Sequence, residues 1–187
     1  KVQHDPPMLS LDKCYEEATL KKWFDKFEGD AVVSPKVDGV ATCIRYDANG
    51  DLILGATRGN GKTGEVITEQ VRHVGNVPHH IEQGPLEVRG ETYMPLDVFE
   101  GSFKGVYSSP RNLTAGALKQ KDATKTADYR VEFFAYDAVG LDYDTEVEKN
   151  QHLERLGFTP VPTHLVGHAD LQSTFETFVA ERSTLNY

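Results

Sequence analysis

Runs of apolar, strand-forming residues predict an antiparallel sheet in the first half of the chain. Residues 40–47 and 52–58 are two such runs, and Asn49-Gly50 lies between them. Asn-Gly between two β-rich runs is a strong hairpin signal, so we expect 52–58 to pair antiparallel with 40–47. Three further stretches have strand character, and the second alternates apolar and polar residues as a half-buried strand does: 31–35, 86–93 and 130–139.

Apolar residues at helical spacing predict helices between and after these strands. One such face has its residues at i, i+3, i+4 and i+7: Leu20, Trp23, Phe24 and Phe27. We expect Asp12 to cap this helix and Gly29 to end it. Five more helices are predicted: 65–74, 95–99, 112–119, 145–156 and 169–185. Antiparallel strands with helices packed outside them define the α+β class.

A glycine-rich loop, residues 59–64, follows the predicted hairpin and resembles two phosphate-binding patterns. The P-loop interpretation fails because Ala56 stands where that motif requires its first glycine. The dinucleotide fingerprint requires a parallel βαβ unit, whereas the strand before this loop is the second arm of a hairpin. The loop can still present backbone N–H groups or Lys62 to a phosphate.

The stretch Ser34-Pro35-Lys36-Val37-Asp38-Gly39 carries the candidate chemistry. A lysine amine is almost fully protonated at neutral pH, and it becomes a nucleophile where a nearby cation or partial burial favours its neutral form. Asp38 could orient the amine or take up a proton, and Gly39 would let a nucleotide lie close to the backbone. Taken alone, the stretch is equally compatible with a surface lysine beside a turn.

Further stretches with candidate chemistry follow this one in a fixed order: 56–65, 87–91, 110–116 and 133–136. In that order and at those intervals they resemble the adenylation domain of bacterial NAD-dependent DNA ligase. The resemblance runs from residue 7 to nearly the last residue. It implies the nucleotidyltransferase architecture of DNA ligases and mRNA capping enzymes, which is related to ATP-grasp. It also implies an entry segment and first helix over 1–30 and the adenylation core over 31–187, incomplete at its C-terminus.

The resemblance assigns a reaction to Lys36. The matching lysine attacks the α-phosphate of NAD with Mg²⁺ present, releases nicotinamide mononucleotide and carries AMP to the 5′-phosphate of nicked DNA. Asp38 matches the supporting carboxylate of the motif. The resemblance implies roles for eight further residues: Ser10 and Leu11 line the NAD pocket, Ser34 stands at the adenine edge, Arg58 lies at the nucleotide, Glu91 holds the ribose, Tyr136 stacks on adenine, and Arg111 and Lys119 face DNA.

Two of these positions depart from the family pattern. Ser34 replaces a glutamate that contacts the adenine edge, and serine is shorter and uncharged. Lys119 stands where we expect arginine, which removes a bidentate phosphate contact.

The amino-acid composition indicates which cellular compartment and which binding partners suit this chain. The 187 residues are 39% hydrophobic, no apolar run approaches the roughly 20 residues of a membrane helix, and Cys14 and Cys43 stand far apart. These features favour the reducing cytoplasm, with no membrane partner, no disulfide scaffold and no metal site of its own. We also expect a monomer. The net charge of −9 has the wrong sign for a free-standing DNA-binding protein. Contact with nicked double-stranded DNA therefore requires a local basic patch or other parts of a longer protein.

Three other functions stay open at this level. An ATP-using nucleotidyltransferase of the same superfamily, such as an RNA ligase or capping enzyme, is the nearest. The glycine-rich loop and the Pro110-Arg111-Asn112 stretch favour the NAD enzyme over it. A non-catalytic ligase-like binding module is motivated by Ser34 and Lys119. A Rossmann dehydrogenase is the most distant, because it needs a parallel sheet.

Overall fold

A computed structural model describes the backbone of residues 1–187 and every side chain except that of His168. Eight strands are present: β1 Val2–Gln3, β2 Ala31–Val33, β3 Val40–Tyr46, β4 Leu52–Thr57, β5 Thr63–Gly64, β6 Leu86–Tyr93, β7 Glu132–Val139 and β8 His164–Val166. The α-helices are α1 Glu17–Phe24, α2 Thr68–Val71, α3 Leu96–Ser102, α4 Pro110–Ala117, α5 Glu146–Arg155 and α6 Leu171–Glu181. Short 3₁₀ helices cover Ala123–Tyr129, His168–Asp170 and Arg182–Thr184.

The chain forms two compact units. The first unit comprises Lys1–Met8, Lys36–Val161 and Asn186–Tyr187, and the second comprises Leu9–Pro35 and Pro162–Leu185.

A four-stranded sheet forms the centre of the first unit, in the order β4-β3-β6-β7. All three neighbouring pairs are antiparallel. The predicted α+β class with antiparallel sheets is therefore confirmed. A Rossmann fold is excluded for this sheet, since β4 pairs antiparallel with β3 in a hairpin and no parallel pair precedes the glycine-rich loop.

The predicted hairpin between β3 and β4 is confirmed. The Asp47 carboxylate accepts hydrogen bonds from the backbone N–H groups of Asn49 and Asp51, at 2.9 and 3.0 Å. Gly50 has a φ of +88°, a conformation that L side chains rarely adopt. The turn thus forms from local chemistry, which is why the sequence predicts it well.

The main core of the first unit lies where the sheet packs against its helices. Its largest fully buried side chains include Tyr46 and Ile44 of β3, Phe133 of β7 and Leu153 of α5.

Two helices of the first unit differ from their predicted bounds. Helix α2 covers only Thr68–Val71, shorter than the predicted 65–74. Helix α4 begins two residues before its predicted start because Ser109 caps it, accepting a hydrogen bond from the Asn112 N–H at 3.2 Å.

The N-terminal segment covers one face of this sheet. β1 pairs with β5 of the glycine-rich loop, and the Arg89 guanidinium donates hydrogen bonds to the carbonyls of Pro6 and Pro7. Glu87 accepts from Arg89 and is, like it, more than 90% buried. The prediction of a half-buried strand at 86–93 is therefore wrong, because residues from far away in the sequence cover its polar face.

The second unit pairs β2 with β8 antiparallel, with Val32 opposite Leu165. Helix α1 begins at Glu17, and Glu16, the N-cap residue that precedes it, makes no side-chain capping hydrogen bond. The predicted Asp12 cap is therefore wrong. Of the predicted apolar face, Phe24 is buried, whereas the Trp23 and Phe27 side chains are about half exposed. Among the described helices of both units, none is long and apolar enough to cross a bilayer.

Candidate active site around Lys36

The residues before β3 alternate between buried and exposed positions. Val37 is 5% exposed and packs in a small cluster with Tyr93, Phe134 and Val161. Gly39 is buried as well, whereas Lys36 and Asp38 are exposed. The buried valine and glycine therefore fix the backbone, and the lysine and the aspartate face solvent.

Gly39 lies against β6 too closely for any side chain. A Cβ atom added there would lie 2.0 Å from the backbone carbonyl oxygen of Thr92. The structure therefore gives this glycine an internal reason, and the close approach of a nucleotide stays a prediction. The Gly39 N–H donates a hydrogen bond to Glu91 Oε1 at 3.1 Å, which ties the lysine-bearing loop to a carboxylate of the central strand.

Glu91 is the centre of a small electrostatic cluster. It lies on β6 between Ala41 of β3 and Phe134 of β7 and is partly buried. Burial raises the pKa of the Glu91 carboxyl, and the Asp38 charge adds to the rise. The Lys36 charge, the Gly39 N–H and the Arg111 charge oppose it. Lys36, Asp38 and Arg111 therefore all act on one carboxylate.

Asp38 has a partner of its own. Arg111 Nη1 donates to Asp38 Oδ1 at 3.1 Å, with side-chain exposures of 62% and 71%. Arg111 occupies the first turn of α4, whose start is fixed by the Ser109 cap. An ion pair this exposed contributes little to the stability of the fold. It does show that the Arg111 cation of α4 lies beside the loop that carries Lys36.

Tyr136 stands at an irregularity of β7. Gly90 of β6 pairs with Ala135 and Arg89 pairs with Asp137, so Tyr136 is an extra residue without a partner opposite it. Such bulges redirect a side chain and occur often beside functional sites. The ring is 40% exposed, and burial followed by the Glu91 charge raises the pKa of its hydroxyl to about 12. Arg58 opposes that rise, so Tyr136, Glu91 and Arg58 lie in one neighbourhood.

The glycine-rich loop uses its own backbone donors. The Asn60 side-chain oxygen accepts hydrogen bonds from the N–H groups of Lys62 and Thr63, at 3.1 and 2.8 Å. The N–H of Gly61 donates to the Arg58 carbonyl at 3.0 Å. These donors hold the loop's shape, which leaves the Lys62 side chain as its exposed cation.

The first unit thus brings together Lys36, Asp38 and Arg111 around Glu91, with Arg58 and Tyr136 beside it. Lys119 is exposed just beyond the end of α4. Ser10, Leu11 and Ser34 belong to the second unit, and all three are exposed. Their assignment to a nucleotide pocket stays a prediction.

Two contacts and one strand irregularity of this cluster were not predicted from the sequence. They are the Gly39–Glu91 hydrogen bond, the Asp38–Arg111 pair and the β-bulge at Tyr136. The bonded pairs join residues 52 and 73 positions apart, and the bulge depends on the register between two strands. No local pattern encodes them. Within the described residues, no group of three or more His, Cys, Asp or Glu side chains is arranged to hold a metal ion.

Comparison with known proteins identifies the family. A family model described as the NAD-dependent DNA ligase adenylation domain matches residues 1–187. The chain belongs to this family. Curated relatives called DNA ligase include those of Metamycoplasma arthritidis, 36% identical, and Levilactobacillus brevis, 35% identical, and each covers 100% of this chain.

The chain spans only about 30% of the length of these ligases, at 31% and 30% respectively. Among solved structures, the chain is similar to the ATP-dependent DNA ligase from bacteriophage T7 in complex with ATP. That similarity has a TM-score of 0.46 and 18% sequence identity, and it covers 89% of this chain and 58% of the other.

Proposed function

We propose that this chain is the adenylation domain of an NAD-dependent DNA ligase in which Lys36 is the nucleophile. The observation that carries the proposal is the arrangement around Glu91. The Gly39 N–H bond holds the Lys36 loop to this carboxylate, and the charges of Lys36, Asp38 and Arg111 all act on it. Family membership over residues 1–187 supports the same assignment.

The side chains of this cluster suit the parts of an adenine nucleotide. Tyr136 offers a partly exposed aromatic face, which suits stacking on a base. Glu91 offers carboxylate oxygens for ribose hydroxyls, and Arg58 and Arg111 offer cations for phosphates. Ser10, Leu11 and Ser34 complete the proposed NAD site on the strength of the family resemblance alone.

In the proposed reaction, the neutral Lys36 amine attacks the α-phosphorus of NAD. A nitrogen–phosphorus bond forms, the bond to the bridging oxygen breaks, and nicotinamide mononucleotide leaves with that oxygen. The amine loses a proton, for which Asp38, two residues away, is the nearest acceptor along the chain. The lysine then carries AMP, which passes to the 5′-phosphate of nicked DNA, and the 3′-hydroxyl displaces it as the nick is sealed.

The chain offers limited ligation for Mg²⁺. Asp38 and Glu91 are carboxylates in one electrostatic cluster. Mg²⁺ at phosphoryl-transfer sites is usually held by one or two carboxylates together with substrate phosphates, so the exposed Asp38 carboxylate fits such an ion and Glu91 is left for the ribose. When bound, Mg²⁺ would neutralise charge on the phosphates. Around it, Arg58 and Arg111 would orient the phosphates and Glu91 the ribose.

The longer protein is proposed to work in DNA replication and repair, as a monomer in the cytoplasm. Two widely separated cysteines, one exposed and one buried, fit a reducing compartment.

The test is intact-mass analysis of the full parent protein with Mg²⁺, offered NAD or ATP separately. We expect a mass increase of one AMP from NAD, none from ATP, and none with Lys36→Ala or Lys36→Arg. Lys36→Arg serves as the matched control because it keeps the positive charge and removes the nucleophile.

A mass increase from ATP alone would instead assign the chain to the ATP-using branch of the superfamily. No increase from either nucleotide, in a folded protein that still binds them, would favour a non-catalytic module. Ser34 is the observation that motivates this second candidate, because it removes the carboxylate expected at the adenine edge.

A further inference from the structure

Asn186 and Tyr187 belong to the first unit, although residues 162–185 before them belong to the second. The proposed reaction uses neither residue. Both nevertheless make contacts within the first unit, and these contacts lead to the loop that carries Lys36.

Asn186 holds this short segment at the start of helix α3. Its backbone carbonyl accepts a hydrogen bond from the Leu96 N–H at 2.9 Å. Its side chain accepts from the Asp97 N–H at 2.8 Å and donates to the Asp97 carboxylate at 2.9 Å. The first N–H groups of a helix have no partner within the helix, and Asn186 satisfies two of them. The backbone that leads to Tyr187 is thereby fixed.

The Tyr187 ring packs on an aromatic cluster. Its centroid lies 5.0 Å from that of Phe134 and 6.0 Å from that of Tyr93, with interplanar angles of 73° and 76°. The Tyr93 and Phe134 rings stack on each other at 4.6 Å. Edge-to-face and stacked ring pairs at these distances are favourable. Val37 and Val161, 5% and 7% exposed, complete the cluster, so Tyr187 packs on the group of side chains that buries Val37.

This cluster lies on the same face of the sheet as Glu91. Tyr93 follows Glu91 by two residues on β6, and Phe134 pairs directly opposite Glu91 on β7. Side chains in both relations lie on one side of a sheet. The lysine-bearing loop is thus held on this face at two points, by Val37 in the cluster and by the Gly39 N–H bond to Glu91.

We propose that Tyr187 is a positioning residue for the lysine nucleophile. Its ring holds Val37 in the cluster and so fixes the backbone from which Lys36 projects. A displacement of about 1 Å at a reacting group can cost about a hundredfold in rate. No residue proposed to bind the nucleotide belongs to the cluster, so Tyr187 should affect the chemical step more than the affinity for NAD. The proposal rests on the proposed function for the reaction that Lys36 performs.

The first measurement is single-turnover adenylation of the full parent protein with Mg²⁺, followed by intact mass over a range of NAD concentrations. Tyr187→Ala removes the ring and Tyr187→Phe keeps it. Tyr107→Ala is the matched control, since it removes a tyrosine ring from a different aromatic group of the first unit, where Tyr107 packs edge-on to Phe103. Urea unfolding of each variant shows that it is folded under the assay conditions.

We expect Tyr187→Ala to lower the maximal rate of adduct formation between roughly tenfold and a hundredfold. The NAD concentration that gives half of the maximal rate should stay close to that of the wild type. Tyr187→Phe and Tyr107→Ala should both keep the wild-type rate. The proposal would be overturned by a wild-type rate in Tyr187→Ala, by a loss of rate that Tyr187→Phe or Tyr107→Ala shares, or by a change confined to the NAD concentration.

Hydrogen exchange measures the hold on the loop independently of any activity. The Gly39 N–H is bonded to Glu91, and its exchange reports local opening of the loop. A peptide covering residues 36–40 should exchange faster in Tyr187→Ala than in the wild type, Tyr187→Phe or Tyr107→Ala. Equal exchange in all four proteins would overturn the proposal.

The two measurements separate this proposal from the proposed function. If the wild type forms no adduct from NAD or ATP, the proposed function fails, and faster exchange in Tyr187→Ala would still show that Tyr187 positions the loop. An adduct formed at the same rate and with the same loop exchange in Tyr187→Ala would leave the enzyme and remove the role of Tyr187.

Discussion

At the scale of single residues, the pKa of the Glu91 carboxyl is influenced by several other residues of the site. It is partly buried, it accepts the Gly39 N–H, and the charges of Lys36 and Arg111 act on it. Burial raises the pKa of its carboxyl and these partners lower it, with burial the larger effect. The fold therefore favours the neutral acid more than water does, although the proposed role in holding ribose needs acceptor oxygens.

Replacing Glu91 with glutamine should make stability less dependent on pH. A raised folded pKa means that the wild-type protein loses stability, relative to Glu91→Gln, as pH rises from the ordinary glutamate pKa through the folded value. Urea unfolding should therefore show the variant gaining stability relative to the wild type as the pH rises above the ordinary glutamate pKa. A difference between the two proteins that stays constant over this range would contradict the burial argument.

At the scale of elements, packing around Gly39 holds the lysine-bearing loop in place. Val37 fills the small aromatic cluster, and the backbone of Gly39 lies against Thr92 with no room for a Cβ. The position of Lys36 thus depends on how closely Gly39 packs against β6 rather than on contacts of the lysine side chain.

Gly39→Ala should destabilise the protein by about 1–3 kcal/mol, because the added methyl group must push β6 away. The Glu91 hydrogen bond should weaken with it. Gly101→Ala is the matched control, since its Cβ would meet no atom within 4 Å and Ala is the better helix former. The urea denaturation midpoints of the two variants measure this difference in stability. Equal midpoints would contradict the close packing of Gly39 against Thr92 of β6.

Local chemistry explains which elements the sequence predicts well. The β3–β4 hairpin follows from Asn49-Gly50 and the Asp47 carboxylate, all within a few residues. Burial of Glu87 and Arg89 does not follow, because the segment that covers them comes from about 80 residues earlier in the chain. The same limit applies to the site: Lys36 and Asp38 are predicted by their motif, but the Arg111 partner and the Tyr136 bulge arise from long-range pairing.

At the scale of the whole molecule, the two cysteines report on whether the N-terminal segment is in place. Cys43 is fully buried on β3, its thiol lies 3.6 Å from His4 Nδ1, and His4 Nε2 lies 3.0 Å from the Thr57 carbonyl oxygen. Burial, with the Glu87 charge, raises the pKa of the Cys43 thiol to about 11. Cys14 is exposed.

A thiol reagent should therefore distinguish the two cysteines in the folded protein. At pH 8 the Cys43 thiolate fraction is on the order of one in a thousand, and the side chain is inaccessible. N-ethylmaleimide should add one label, on Cys14, to the native chain and two labels in urea, as read by intact mass. Two labels at equal rates on the native chain would show that residues 1–8 do not cover this face.

In the proposed reaction Lys36 carries the AMP, and peptide mapping after adenylation tests this assignment most directly. The full parent protein is incubated with NAD and Mg²⁺, digested, and the modified residue located by tandem mass spectrometry. We predict AMP on Lys36 and on no other residue, with the adduct absent from Lys36→Arg. An adduct on a different lysine, or one that persists in Lys36→Arg, would contradict it.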